Sequence, residues 1–231
     1  MSALKKFFSG RLPIRILAVL TFIAVLTVGI ITEQAALRLI PLLFSVMIML
    51  LNSGANRFGY LAGGINSVFY GFSYLHYGLY GSMLQAFAIS CPIQIATFIL
   101  WSRRAYKSST VFRKMSVRLR VVVAALAALG YAGYLIFSLE VGATQPYIDS
   151  AIFISGVVLP LLSLRGYYEY AYIQIFTSPL TTVMYSLMVG ESPEMWVYLI
   201  FSIYSYVCII SQLVSVRRLR REQERENVTD A

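Results

Sequence analysis

A chain of 231 residues that is 58% apolar and only 13% charged carries too much hydrophobic surface for a water-soluble domain and fits a multi-pass membrane protein. Its formal charge of +9 comes in blocks beside the apolar runs, which argues against a nucleic-acid surface and for segments facing anionic lipid headgroups. The 2 cysteines, Cys91 and Cys208, both lie within apolar runs, and there is a single histidine. No disulfide, metal site, cofactor motif or catalytic constellation is therefore expected, and the chain is read as a non-enzyme.

A spanning helix needs about 20 mostly apolar residues. Eight such runs are present, near 14–32, 37–52, 58–76, 81–101, 119–139, 147–163, 168–188 and 195–215. The first follows Lys5, Lys6, Arg11 and Arg15. It lacks a small-x-small cleavage site in ITEQAALR and is read as a retained span rather than a signal peptide. Placing the amino terminus inside and alternating through eight spans puts 18 of the 19 Lys and Arg on the inner side, with only Arg38 outside. That is the bias of the positive-inside rule. Both termini are thus expected in the cytoplasm of a cell (inner) membrane protein, with 33–36, 140–146 and 190–194 outside. The tail VRRLRREQERENVTDA is expected to leave the membrane as a helix with a frayed end.

The third run, turned by about 100° per residue, places Gly59, Gly63, Asn66, Ser67, Tyr70, Ser73, Tyr74 and Tyr77 on one face. Phe58, Leu61, Ile65, Val68, Phe69, Phe72 and Leu75 fall on the other. An amide cannot face hydrocarbon unpaired, so the polar face must look inward. In the fourth run Gln85, Ser90, Gln94 and Thr97 surround Pro92, which should break or bend the helix. The seventh carries Tyr170, Gln174, Thr177, Ser178, Thr181 and Tyr185 opposite Phe176, Leu180, Val183 and Leu187, and Pro179 should break or bend it. The eighth adds Tyr198, Ser202, Tyr204, Ser205, Tyr206 and Gln212. Polar groups of this kind can act as interhelical glue, at about 1 kcal/mol or less per pair. Four spans with polar faces exceed what packing needs, and a polar cavity is the better account.

A weak repeat points the same way. Spans two to four and six to eight run in the same sense. In each triplet the second span places an amide, Asn66 or Gln174, nine residues after an arginine, Arg57 or Arg165. The fifth span is then a linker between two parallel triplets, one of the transporter architectures. The segments are 1–35 (cytoplasmic start and extra span), 36–104 (first three-helix bundle), 105–140 (basic loop and linker span), 141–216 (second bundle) and 217–231 (cytoplasmic tail). No carboxylate or basic group falls near mid-membrane, so no proton or sodium relay is expected.

The runs NRFGYLAGGINSVFYGFSYLHYGLYGSMLQAF (56–87) and LRGYYEYAYIQIFTSPLTTVMY (164–185) resemble the Pnu-type vitamin transporters, the nicotinamide riboside (PnuC) family. The resemblance covers about residues 40–215 and is one of layout. It implies an all-α integral membrane protein of eight transmembrane helices, an extra amino-terminal span followed by a SWEET-like 3+1+3 parallel pseudo-repeat. It also implies facilitated diffusion of a nucleoside-like vitamin with trapping by cytoplasmic phosphorylation, and a homo-oligomer, a trimer in similar proteins. The family's Trp-x-x-Trp-x-x-x-Asn run in the penultimate span falls here on Tyr170, Ile173 and Thr177, so one aromatic and one hydrogen-bonding group remain while the second aromatic is replaced. Another nucleoside or vitamin, such as a deoxynucleoside, thiamine or riboflavin, stays open, as does a non-transporting membrane assembly protein. The candidate substrate-binding residues are Asn66, Tyr70, Tyr74, Gln85, Gln94, Tyr170, Gln174, Thr177 and Tyr185; the expected partners are the lipid bilayer and a small nucleoside-like molecule.

Overall fold

The computed structural model describes residues 11–76, 83–142, 145–190 and 192–226; Lys5, Lys6, Tyr77 and the last residues of the tail lie outside them. Among the described residues the chain forms eight helices: α1 Arg11–Ile31, α2 Ala36–Ser53, α3 Phe58–His76, α4 Gln85–Arg103, α5 Val117–Glu140, α6 Pro146–Leu164, α7 Glu169–Met188 and α8 Trp196–Arg225. Six of them, all but α3 and α7, are long and apolar enough to cross a membrane. The other two have 19 and 20 residues, sufficient in length, but carry Gly, Ser, Thr, Tyr and Gln where a lipid-facing helix carries aliphatics. A short antiparallel hairpin, β1 Ala105–Tyr106 with β2 Ser109–Thr110, interrupts the segment expected to be a plain basic loop.

The two prolines expected to break or bend their helices, Pro92 and Pro179, behave differently from each other. Pro92 sits in the first turn of the α-helical part of α4, Cys91–Arg103, directly after a π-helical stretch, Gln85–Ser90. The wider π turn accommodates the missing donor, so the expected break becomes a change of helix type. Pro179 lies inside α7, which continues through it from Glu169 to Met188. Neighbouring helices pack along both sides of α7 and hold it together across the lost hydrogen bond.

Six helices close a ring. α2 packs on α3, α3 on α4, α4 on α6, α6 on α7, α7 on α8, and α8 returns to α2. α1 lies against α2 and α8, and α5 packs on α6. Most of the α5 surface is uncovered, with Val121, Val122, Leu126, Leu129 and Ile136 exposed. Phe58, Ile65, Phe69, Phe72 and Leu75 face outward from α3, while Gly59, Gly63, Asn66, Ser67 and Ser73 are buried, as the 100° projection requires. α3 approaches its neighbours through glycine. A Cβ on Gly63 would stand 2.9 Å from Gln94 Cδ, and one on Gly71 would stand 2.5 Å from Phe87 Cζ. We expect Gly63→Val to push α3 off α4 and destabilise the fold by about 1–3 kcal/mol. A thermal melt in detergent checks this; a midpoint equal to the parent's would show that the contact is not tight.

Several basic segments meet at one end of the ring. There the hairpin, the α2–α3 and α6–α7 turns and the end of α8 form a cap. Arg57 N donates to Ser108 O (2.9 Å), Arg113 N to Gly166 O (2.9 Å) and Tyr168 N to Arg113 O (3.1 Å). Glu169 accepts from Met115 N (3.0 Å) and Arg120 (2.7 Å). The tail leaves the ring as a helix, as expected, and its last residues lie outside the described ones. α8 runs 30 residues to Arg225, and its fully buried Gln223 donates to Thr110 O (2.8 Å) and accepts from Phe112 N (3.0 Å). Lys107 pairs with Glu222 at 2.7 Å, and that hydrogen bond lowers the pKa of the Glu222 carboxyl. At the opposite end Arg38 pairs with Glu194 at 3.2 Å, tying the start of α2 to the start of α8.

Candidate functional site

Among the described residues, two cavities that share one wall lie within the ring. The larger, about 420 Å³, is lined from α3 by Tyr70 and Tyr74, from α6 by Ser155 and Gly156, from α7 by Gln174, Thr177, Ser178, Thr181 and Tyr185, and from α8 by Tyr198, Ser202 and Ser205. The smaller, about 150 Å³, runs along α4 past Gln85, Ser90, Gln94 and Thr97 and reaches Asn52, Tyr60, Ser163, Tyr170 and Gln212. Gly156, Leu159, Pro160 and Gln174 line both. Neither lining contains an acidic or basic side chain.

The polar face of α7 read from the sequence is therefore the cavity wall, while Phe176 on the opposite face is 79% exposed. Gln174 stands where the two cavities meet, and its amide has no hydrogen-bond partner among the described residues. Gln85 is likewise unpartnered, at the start of the π turn. Gln94 spends one N–H on Ser67 Oγ (3.0 Å), and Thr177 donates back to the carbonyls of Ile173 and Gln174 (both 3.4 Å). Tyr170 is 2% exposed and accepts from Gln212 Nε2 (3.1 Å).

Asn66 differs from the other candidates. Its amide is buried but lines neither cavity: Nδ2 donates to Pro41 O (3.0 Å) and Ser45 Oγ (2.8 Å), bonding α3 to α2. Ser45 in turn lies 3.4 Å from the Tyr70 hydroxyl. The paired amides of the sequence repeat thus occupy unlike places, Gln174 facing open space and Asn66 between helices. The α6 contribution, Ser155, Gly156 and Pro160, went unread, although a Ser-Gly pair and a proline inside an apolar run are the signal that could have exposed it.

At the basic end the ring is plugged. Trp101 is fully buried, with ring centroids 4.7 Å from Tyr60, 5.8 Å from Phe112 and 6.4 Å from Tyr170. Its Nε1 donates to Ser163 O (2.8 Å), and the Ser163 and Tyr60 hydroxyls are hydrogen-bonded to each other. One cluster thus links α3, α4, α6, α7 and, through Gln212, α8.

This arrangement has relatives. The fold is similar to that of the crystal structure of the vitamin B3 transporter PnuC, with a TM-score of 0.72 over 90% of this chain and 92% of that one at 16% identity. In sequence the chain is 22% identical over 155 residues to the nicotinamide riboside transporter PnuC of Neisseria mucosa. That alignment takes in 64% of this chain and spans 59% of the length of the relative. Residues 35–212, from just before α2 to well into α8, match the nicotinamide mononucleotide transporter family. α1 precedes that region, and the six-helix ring with its cavities lies almost entirely within it, so the chain belongs to the nicotinamide mononucleotide transporter family.

Proposed function

We propose that this chain moves a nucleoside-like vitamin, nicotinamide riboside or a close relative of it, across the cell membrane by facilitated diffusion, with phosphorylation inside the cell trapping the cargo. The observation that carries the reading is the uncharged, hydroxyl- and amide-rich cavity inside the ring. Its 420 Å³ lies in the range of small-molecule sites. A phosphate group there would shed its water with no Lys, Arg or His to replace it, a loss of several kcal/mol. The cavity therefore suits the riboside better than the mononucleotide for which the family is named. Ribose hydroxyls and a carboxamide match Ser202, Ser205, Thr177, Thr181 and the open amide of Gln174.

In this reading all eight helices cross the membrane. α2–α4 and α6–α8 act as parallel halves, supported by the ring's two matching seams, α4 against α6 and α8 against α2. The basic end is cytoplasmic, as are both termini, and the Trp101 cluster closes the cavity on that side. No acidic or basic group lines the path, so no ion gradient drives the cargo.

Reconstituted vesicles test the proposal. Saturable nicotinamide riboside uptake is expected to persist in the presence of a protonophore, with the mononucleotide excluded. Uptake that collapses with the proton gradient would overturn the mechanism, and the absence of saturable uptake of this or any related nucleoside or vitamin would overturn the transporter reading.

A further inference from the structure

Four tyrosines converge in the larger cavity, toward the end away from the basic cap: Tyr70 and Tyr74 from α3, Tyr185 from α7 and Tyr198 from α8. They form two stacked pairs. Tyr70 and Tyr74 have centroids 5.9 Å apart at 22°, and Tyr185 and Tyr198 lie 5.5 Å apart at 24°. All four line the same cavity, so the pairs make one group. Packing alone would be served by phenylalanine, which buries the same ring without a hydroxyl to satisfy. Yet the Tyr74 and Tyr185 hydroxyls donate to none of the described residues. Tyr70 is anchored through Ser45 (3.4 Å) and behind it Asn66, which reaches Ser45 at 2.8 Å.

The electrostatics of this group are one-sided. Aromatic faces attract positive charge, and nothing in the lining repels it or neutralises it as a fixed carboxylate would. A planar cation entering here exchanges water for several ring quadrupoles. A neutral ring of equal size gains the stacking without the charge attraction.

We infer that the Tyr70–Tyr74 and Tyr185–Tyr198 pairs form a charge-selective ring site, which takes a planar heteroaromatic cation in preference to its neutral isostere. Asn66 and Ser45 are positioning residues that hold Tyr70 in place. The inference deepens the carrier reading and rests on it for the identity of the cargo.

The experiment compares nicotinamide riboside, a pyridinium, with its neutral 1,4-dihydro form, which keeps the ribose and carboxamide, as competing ligands for the purified protein. A second pair, N-methylnicotinamide cation against nicotinamide, tests the ring alone. The parent should prefer the cation of each pair by about tenfold or more, from two or more ring contacts at favourable geometry. Tyr198→Leu and Tyr185→Leu should bring the ratio toward one, chiefly by weakening the cation. The Tyr→Phe variants at the same positions keep the ring and should keep the preference. Ser45→Ala should lower the preference partially without abolishing binding of the neutral form, a pattern that general loss of folding would not produce. Equal binding of charged and neutral forms by the parent overturns the inference, as does an unchanged ratio in the leucine variants. Saturable carriage of neutral nucleosides with no cation preference would sink this inference while leaving the carrier reading standing; no binding by either member of both pairs would remove both.

Discussion

Trp101→Ala is expected to cost about 3–5 kcal/mol of stability, the range for truncating a fully buried tryptophan. Trp101 has no exposed surface and touches three aromatic rings carried by α3, α7 and the loop after the hairpin. Removing it empties the centre of the cluster that includes Phe112, Met115, Leu162, Tyr170, Leu213 and Val216. It also leaves the Ser163 carbonyl without its indole donor. Trp101→Phe separates the two contributions, since it retains most of the packing and loses only the hydrogen bond, at about 1–3 kcal/mol. Denaturation in detergent, followed by near-ultraviolet signal or by thermal shift, should rank the parent above Phe and Phe above Ala. An alanine variant as stable as the parent would mean that the cap does not hold the helix ends together. The same cluster closes the cavity at the cytoplasmic end in the proposed topology. Variants that loosen it without unfolding the ring are therefore expected to change the rate of release more than affinity.

Sequence alone reveals the parts of this structure that follow from periodicity. The inward face of α3 and the wall-forming face of α7 come directly from a 100° projection, because turning Asn66 or Gln174 inward and exposing Phe72 or Phe176 is the only arrangement hydrocarbon permits. The helix positions follow from run length in the same way. What periodicity does not carry is which inward neighbour a side chain meets. Asn66 and Gln174 look equivalent in spacing, yet Gly59 and Gly63 draw α3 so close to α2 and α4 that no open space remains beside Asn66. α7 has no glycine along Glu169–Met188, and larger side chains hold its wall open around Gln174. The cap was hidden for a related reason. Gln223 lies in a stretch that reads as a solvated charged tail, and its burial depends on pairing with backbone atoms of Thr110 and Phe112, more than 100 residues earlier.

Gln174 carries the strongest expectation for binding. It lines both cavities, and its side-chain amide is free of any described protein partner. An amide in that condition offers a donor and an acceptor to a carboxamide or ribose edge. Its truncation leaves the buried cargo group unpaired, costing about 1–3 kcal/mol, or roughly 5- to 150-fold in affinity. Because the amide bonds none of the described residues, Gln174→Ala should leave the thermal midpoint nearly unchanged. Asn66→Ala provides the contrast. It removes two hydrogen bonds between α3 and α2, at 3.0 and 2.8 Å, so it should lower the midpoint and should affect binding through the placement of Tyr70. Phe176→Ala, on the exposed face of the same helix, should do neither. Isothermal titration with nicotinamide riboside, alongside melts of each variant, separates the three. If Gln174→Ala bound the riboside as tightly as the parent while Asn66→Ala abolished binding at unchanged stability, the cargo would sit between α2 and α3 rather than at the junction of the two cavities.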